Sequence, residues 1–171
     1  KKSAFIIVTE GRVFMKGQKA VSPAQWVGEE DEVVVRKERA YVGRGAIKLE
    51  GALARFGVAV SGKTCADIGS ATGGFTEVLL LRGAKKVYAI DTARGKLAPK
   101  LRDDPRVIVM EGTDVRDLNA LPNPIELASI DVSLIPLEGI LPAVKKLLAR
   151  DAKVVALLKP QYETRDVRLL R

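Results

Sequence analysis

The sequence of 171 residues contains no histidine and a single cysteine, Cys65. With one thiol and no imidazole, composition argues against a zinc site and against Ser-His or Cys-His nucleophile pairs, so we expect no metal. Cys65 cannot form an internal disulfide, which predicts a reducing compartment. We interpret it as core packing rather than a reactive thiol, because it lies in the apolar run Thr64–Ile68. Any chemistry must therefore use lysine, aspartate, glutamate or backbone groups.

Long apolar runs are missing as well. No uncharged stretch approaches the ~18 residues that span a bilayer. The start, Lys1-Lys2-Ser3, has no signal peptide with a cleavage site, so the sequence predicts a cytoplasmic protein. Lys and Arg outnumber Asp and Glu by 29 to 21, which gives a net charge of +8. This excess favours a polyanionic partner, because each phosphate that is neutralised releases a condensed counterion.

Residues 1–40 differ from the rest and predict a small helix-plus-hairpin unit. The predicted elements are a helix over Ser3–Glu10 ended by Gly11, a strand at Val13–Met15, a turn at Lys16–Gln18, an irregular piece around Pro23 and a strand at Glu32–Arg36. We expect the acidic run Glu29–Glu32 to form a solvated turn. Trp26 is expected to pack this unit rather than to stack on a base.

The remainder alternates short apolar runs with helical segments, beginning with a helix over 44–56 that Gly57 closes. Fully apolar strands separated by helices predict a doubly wound α/β fold with a mostly parallel sheet covered on both faces. The predicted strands are Thr64–Ile68, Val87–Ile90, Val107–Met110, Leu127–Val132 and Val154–Leu158. The predicted helices are Phe75–Arg82, a segment around Leu97–Leu101 and Leu137–Ala149, the last starting late or kinked at Pro142.

A glycine-rich turn joins the first of these strands to a helix. Glycines let backbone N–H groups approach a ligand closely, and ligands of open α/β sheets bind at the carboxyl ends of strands. The turn is therefore the best cofactor site in the sequence, although glycines that merely form a tight turn are the plainer alternative. The candidate binding residues here are Asp67, Gly69, Ser70, Gly73, Gly74 and Phe75.

Two acidic residues follow the next strands and suit a nucleoside cofactor. Asp91 is placed to accept both hydroxyls of a ribose, and Asp114 to accept from the adenine amino group. An acid such as Asp91 serves NAD and S-adenosylmethionine equally. The spacing of the glycines distinguishes the two cofactors. A dinucleotide-binding turn reads G-x-G-x-x-G, whereas this turn reads Asp67-x-Gly69-x-x-x-Gly73-Gly74, which is typical of methyltransferases. We therefore predict S-adenosylmethionine, whose carboxylate suits backbone donors and whose ammonium suits Asp67.

Charged residues also end the last two strands. Asp131 follows one apolar run and Lys159 follows the next. A charge at a strand end is most often a solvated edge, but two opposite charges on neighbouring strands can meet and hold each other in place.

Five segments together resemble the hemolysin A/TlyA family, over about residues 3–163. They are Tyr41–Glu50, Asp67–Thr76, Ala84–Asp91, Ile130–Ser133 and Lys159–Gln161. The resemblance implies a partial S4-like RNA-binding module at 1–40 and an FtsJ-like methyltransferase domain at 41–171 that uses S-adenosylmethionine. It also implies 2′-O-methylation of ribosomal RNA through a Lys-Asp-Lys-Glu tetrad, of which Lys48, Asp131 and Lys159 match the first three members.

The chemistry of the reaction supports those three residues. A ribose 2′-hydroxyl is a poor nucleophile and must be oriented and deprotonated during transfer of the methyl group. Lys159 could take the proton if burial or the second cation, Lys48, favours its neutral form. Asp131 would position both lysines and face the sulfonium.

The sequence departs from the family pattern in two ways. The glutamate of the tetrad has no counterpart, and the last strands of the usual fold and the first S4 helix are missing. We expect the sequence to be a fragment, or to join segments near Glu163 and Thr164 that are not neighbours. Glu163 itself is interpreted as a loop carboxylate rather than a functional acid.

Several functions stay open at this point. The leading one places Arg12, Lys16, Lys19 and Arg44 against RNA phosphates, although plain surface charge explains any one of them equally well. The alternative is a non-catalytic RNA-binding or ribosome-assembly protein with a vestigial methyltransferase fold. A membrane-lytic protein, which the word hemolysin suggests, has no support because no amphipathic segment stands out.

Overall fold

The structure is a computed structural model, and it describes residues 5, 7, 8, 12–35 and 41–164. The chain divides into two compact units, Lys1–Ala40 and Tyr41–Arg171. The division falls where the sequence changes character, although the assignment of the first unit as S4-like stays a prediction. No helix among the described residues is long and apolar enough to cross a bilayer.

The first unit is a small antiparallel sheet with helical residues before it. Phe5, Ile7 and Val8 are helical. The strands are β1 (Val13–Met15), β2 (Gln18–Lys19) and β3 (Val33–Val35), in the order β2-β1-β3. Lys16 and Gly17 both have positive φ, 50° and 77°, which is the backbone that a two-residue hairpin turn requires. The predicted turn was one residue too long, since Gln18 begins β2.

The expectation that Trp26 packs the first unit is wrong. Trp26 is 85% exposed, and Val21 is 90% exposed. Among the described residues of this unit, Val13 and Ala20 are the buried apolar ones. The turn around Glu29–Glu30 is exposed as predicted, and Asp31 accepts a hydrogen bond from the Gly28 N–H at 3.0 Å.

The second unit contains a five-stranded sheet in the order β6-β5-β4-β7-β8, in which neighbouring strands are parallel. This confirms the predicted doubly wound α/β fold. The order reverses direction at β4, so that the crevice beside its carboxyl end is where such sheets bind ligands. The strands are β4 (Thr64–Ile68), β5 (Lys86–Asp91), β6 (Val107–Glu111), β7 (Ile125–Ile130) and β8 (Leu148–Ala156).

The helices connect these strands on both faces. They are α1 (Gly45–Arg55), α2 (Gly74–Leu81), α3 (Pro99–Arg102), α4 (Leu141–Leu147) and α5 (Pro160–Glu163). The late start expected at Pro142 is confirmed, because a 3₁₀ turn at Leu137–Gly139 precedes α4 and Pro142 lies in its first turn. The predicted end at Ala149 is wrong, because Leu148 already begins β8.

Side chains of each strand alternate between two apolar cores, one on each face of the sheet. Cys65 of β4 packs with Leu49 and Leu53 of α1 and Val78 of α2. Its neighbour Ala66 packs on the opposite face. The interpretation of Cys65 as core packing is confirmed, and burial raises the pKa of its thiol to about 12.

Candidate active site

The turn between β4 and α2 is held against two neighbouring strands. The N–H groups of Gly69 and Ser70 both donate to the carbonyl oxygen of Ile90, at 2.9 and 3.1 Å. Gly69 has a φ of 84°, and a Cβ at this position would lie 2.5 Å from the carbonyl oxygen of Asp131. Glycine is therefore required by both the backbone angle and the close approach of β7.

Glycine is also required where the turn enters α2. Gly73 has a φ of 95° and caps the helix. A Cβ on Gly74 would lie 3.1 Å from the Ala46 nitrogen and 3.2 Å from the Gly43 carbonyl oxygen. Phe75 is buried beneath the turn, where it joins the core of α1 and α2. The predicted glycine loop thus forms as a backbone cradle.

Asp67 lies fully buried beneath this cradle. Its Oδ2 accepts hydrogen bonds from the Thr76 N–H at 2.8 Å and the Thr76 hydroxyl at 2.6 Å. Burial raises the pKa of the carboxyl group to about 7, with smaller contributions from the charges of Asp131 and Asp91, against the lowering effect of Thr76. Asp67 Oδ1 and the buried Ser70 hydroxyl have no hydrogen-bond partner among the residues that the structure describes. Unpaired buried oxygens of this kind are costly unless a ligand satisfies them.

Asp91 lies at the end of β5 and fixes two loops. One carboxylate oxygen accepts from the Ala71 N–H and the other from the Ala93 N–H, both at 2.7 Å. Ala71 itself has a φ of 46°, a strained conformation for a residue with a Cβ. Each oxygen of Asp91 retains a second lone pair for a ligand hydroxyl.

Asp114 follows β6 as predicted, but its carboxylate is already engaged. It pairs with the Arg116 guanidinium at 2.6 Å and caps the short helix Val115–Asp117. The hydrogen bonds from Arg116 lower the pKa of Asp114. An adenine amino group at this place would therefore share the carboxylate with Arg116.

Two cavities adjoin at the carboxyl ends of the strands. The acidic cavity, about 500 Å³, includes Asp91, Asp114 and Asp131 in its lining. The basic cavity, about 570 Å³, includes Arg44 and Lys48 opposite the glycine turn. Both are lined by Gly69, Ala71 and Asp131, so these three residues mark the junction.

Lys159 and Asp131 meet at this junction. The Lys159 Nζ lies 2.6 Å from Asp131 Oδ1 and forms an ion pair with it. The same ammonium donates to the Val132 carbonyl at 2.8 Å and to the Ser133 hydroxyl at 3.0 Å. The side chains of both charged residues are about four-fifths buried, 19% and 21% exposed. The two strand ends therefore meet, as predicted.

Lys48 and Arg44 are exposed and line the basic cavity at the start of α1. Lys48 shares this cavity with Asp131. The structure thus brings Lys48, Asp131 and the turn to one site, and Lys159 joins it through Asp131.

The basic residues predicted to contact RNA in the first unit have different surroundings. Lys16 is 73% exposed but pairs with Asp31 at 2.8 Å. Arg12 is half-buried. Lys19 lies in β2, and its side chain falls outside the described residues.

Some residues that shape the site carry no local sequence signal. Thr76 holds Asp67, and Ser133 holds Lys159. Glu111 accepts from the N–H groups of three successive residues, 95–97, which lowers the pKa of its carboxyl to about 2. Glu163 is the last residue of α5 rather than a loop residue as predicted, and its carboxylate accepts from the Leu137 N–H at 3.1 Å.

The fold and the site together define a class of enzyme that binds a nucleoside cofactor. Its features are a doubly wound parallel sheet, a glycine turn over a buried acid, and acids at the ends of the next two strands. Comparison with known proteins narrows the class. Residues 41–171 match the FtsJ-like methyltransferase family. The chain belongs to that family.

Similar proteins confirm the resemblance seen in the sequence. The 16S/23S rRNA (cytidine-2′-O)-methyltransferase TlyA of Mycobacterium tuberculosis is 46% identical over 167 residues, which cover 95% of this chain and 62% of that protein. Hemolysin A of Brachyspira hyodysenteriae is 41% identical, with 92% of this chain and 67% of that protein covered. A solved hemolysin structure from Streptococcus thermophilus is 41% identical to this chain. The match covers 95% of this chain and 62% of that chain, with a TM-score of 0.73. The chain thus spans less than two thirds of the Mycobacterium tuberculosis protein.

Proposed function

We propose that this protein transfers the methyl group of S-adenosylmethionine to a ribose 2′-hydroxyl of ribosomal RNA. The observation that carries the proposal is the ion pair of Lys159 with Asp131 at 2.6 Å, where the acidic and basic cavities adjoin. One cavity offers acids for a nucleoside, and the other offers cations for a polyanion. The reacting groups would meet between them.

The names of the relatives support the same reaction. The Mycobacterium tuberculosis protein is called an rRNA (cytidine-2′-O)-methyltransferase, as is a protein of Campylobacter jejuni that is 37% identical over 123 residues. We infer ribosomal RNA as the partner of this chain, and hence the compartment that holds ribosomes, the cytoplasm. A net charge of +8 is suited to such a substrate.

The residues present fit S-adenosylmethionine. The unpartnered Asp67 Oδ1 and Ser70 hydroxyl are acceptors for the cofactor's ammonium, and Asp91 is an acceptor for its ribose. Asp114 lies further along the acidic cavity for the adenine. When bound, the cofactor supplies an electrophilic methyl group on a sulfonium.

Lys159 and Asp131 would then prepare the hydroxyl. The Ser133 hydroxyl oxygen lies 3.0 Å from Lys159 Nζ, and a ribose hydroxyl would take its place beside this nitrogen. After losing a proton to solvent, Lys159 would accept the proton of this hydroxyl as a neutral amine while the hydroxyl oxygen bonds the methyl group and the sulfonium leaves as a thioether. Asp131 would keep the lysine in place. General-base assistance of this kind is worth roughly 10²–10⁴-fold in rate.

The remaining cations would hold the RNA. Lys48 lines the basic cavity together with the turn and would act as the second cation of the site, with Arg44 nearby for a phosphate. We also propose that the unit Lys1–Ala40 is an S4-like module that contacts RNA through Arg12, Lys16 and Lys19. RNA helices are bound largely through shape, phosphates and 2′-hydroxyls, so few base-reading side chains are required.

The proposal is tested by methyl transfer from labelled S-adenosylmethionine to ribosomal subunits. Lys159→Ala should lose roughly 10²–10⁴-fold in rate but bind the cofactor as wild type does. Lys153→Ala, which removes an exposed lysine of the adjoining strand β8, is the matched control and should keep full activity.

Two results would contradict the proposal. Equal incorporation by wild type and Lys159→Ala would remove Lys159 from its role. RNA binding by a wild-type protein that transfers no methyl group would favour the alternative, a non-catalytic RNA-binding protein.

A further inference from the structure

Glu77 is a buried acid that the proposed reaction does not use. It lies on α2, one turn beyond the glycine loop, and its side chain is 11% exposed. Its Oε2 accepts a hydrogen bond from the Val42 N–H at 2.7 Å, across 35 residues of sequence. Its Oε1 pairs with Lys100 Nζ at 2.6 Å. A buried carboxylate that binds a distant backbone N–H fixes where that segment lies.

The segment that it holds is one wall of the basic cavity. Val42 is followed at once by Gly43, Arg44 and Gly45, and then by Lys48, all of which line that cavity. The glycine turn forms a second wall of the same cavity. The wall that carries the two cations therefore starts at the residue that Glu77 binds.

The two walls approach each other at backbone distance. A Cβ on Gly43 would lie 2.7 Å from the Thr72 hydroxyl, and one on Gly74 would lie 3.2 Å from the Gly43 carbonyl oxygen. The Val42 side chain also packs against the core formed by α1 and α2. The Glu77–Val42 hydrogen bond supplies a directional contact beside them.

Of the two contacts of Glu77, the one with Val42 should dominate. Lys100 is 56% exposed, and ion pairs with exposed side chains contribute little to stability. A hydrogen bond from a backbone N–H to a buried carboxylate is charge-assisted and stronger than a neutral one.

We propose that Glu77 is a positioning residue that sets Lys48 and Arg44 against the cofactor loop by binding the Val42 N–H. The inference rests on the proposed function, because it assigns Glu77 to the geometry of that reaction. Misplacement of a catalytic wall by about 1 Å can cost roughly 10²-fold in rate. Asp91 and Asp114, which would hold the cofactor's nucleoside, line the acidic cavity, and no residue of 42–48 is among its described lining.

Three substitutions separate the contacts. Glu77→Ala removes both, Glu77→Gln keeps an oxygen that accepts from Val42, and Lys100→Met removes only the ion pair. Glu50→Ala is the control, because Glu50 pairs with Arg82 at 2.7 Å and also ties α1 to α2 without touching the cavity wall. Rates are measured with ribosomal subunits, cofactor affinity by calorimetry, and hydrogen exchange of the amides of residues 42–48 by mass spectrometry.

Glu77→Ala should lower kcat roughly 10- to 100-fold, change the cofactor Kd less than about threefold, and speed exchange at 42–48. Glu77→Gln should restore most of the rate, and Lys100→Met and Glu50→Ala should resemble wild type.

Unchanged exchange at 42–48 in Glu77→Ala would overturn the inference whether or not the wild type is active. A rate loss shared equally by Glu50→Ala would also overturn it, since any tie between the helices would then suffice. An inactive wild type would instead overturn the proposed function, and the exchange data would still decide the role of Glu77.

Discussion

At the scale of single residues, Asp67 is an acid whose pKa lies close to neutral pH. It is completely buried, two of its hydrogen bonds come from Thr76, and its other oxygen is unpaired. Burial raises its pKa from an ordinary value of 3.8 to about 7. The unpaired oxygen is where we place the cofactor's ammonium, so the charge of Asp67 should govern binding.

We expect the affinity for S-adenosylmethionine to rise with pH through about 7. The ionised carboxylate pairs with an ammonium, whereas the protonated form does not. Below the pKa, affinity should fall by up to about tenfold for each pH unit. The measurement is calorimetry between about pH 5.5 and 7.5, where the cofactor's amino group stays largely protonated.

Asp67→Asn supplies the comparison. It should bind the cofactor weakly and show a flat pH profile over the same range. The free energy of unfolding of the wild type without cofactor should instead fall as pH rises. The folded state keeps its proton up to about pH 7 while the unfolded chain loses it near 3.8, so this contribution to stability is lost as pH rises between those values. A wild-type affinity that does not change with pH would remove Asp67 from the ammonium site.

Residue-level roles could be predicted from the sequence where they follow from strand ends. Asp131 and Lys159 each end an apolar run, and parallel strands bring such ends to one edge. The roles of Thr76 and Glu77 could not be predicted in this way. Their partners are set by how α2 lies on β4 and on the start of α1, which no spacing in the sequence encodes.

Among the elements, the turn from β4 to α2 combines two constraints at Gly69. Its φ of 84° suits glycine, and the Asp131 carbonyl oxygen would lie 2.5 Å from any Cβ. Gly62 has a similar φ of 75° but nothing within 4 Å of its Cβ position. A comparison of substitutions at Gly69 and Gly62 therefore separates the cost of backbone strain from the cost of crowding against β7.

Both Gly69→Ala and Gly62→Ala should lose about 1–2 kcal/mol in the free energy of unfolding from the left-handed backbone alone. Gly69→Ala should lose more and should bind S-adenosylmethionine poorly, because β4 and β7 must separate to admit the methyl group. Urea denaturation and calorimetry measure the two effects. Equal losses in the two variants, with cofactor binding intact, would show that the close approach to Asp131 is unimportant.

The elements themselves were largely predictable from the period of apolar residues, and the misses have physical causes. β4 was predicted to the residue because all five of its residues are buried. The C-terminal end of α4 was missed because the apolar residues Leu147 and Leu148 fit a helix and a strand equally well. Trp26 was misjudged because burial of one aromatic in a very small unit depends on surrounding chain that a local pattern does not describe.

Over the whole molecule, the order β6-β5-β4-β7-β8 explains why two cavities share one border. Strands β5 and β6 lie on one side of β4 and supply the acids of the acidic cavity. Strands β7 and β8 lie on the other and supply Asp131 and Lys159. The sequence predicted the strands and their terminal residues, but the strand order, which decides that Asp131 faces both cavities, emerges only from the assembled sheet.

The distribution of charge over this sheet leads to a last prediction. Arg44 lines the basic cavity at the carboxyl ends of the strands, whereas exposed Arg150 lies near the amino-terminal end of β8, at the opposite edge. Each variant, Arg44→Gln or Arg150→Gln, removes one positive charge from a net +8.

If net charge alone attracted RNA, both would weaken binding equally. If RNA lies across the basic cavity, only Arg44→Gln removes a phosphate contact, and it should reduce the slope of log Kobs against log salt by about one. Filter binding of a ribosomal RNA fragment between about 50 and 200 mM salt measures the slopes. The same slope for both variants would place the RNA elsewhere on the protein, since a contact at the cavity must distinguish the two edges of the sheet.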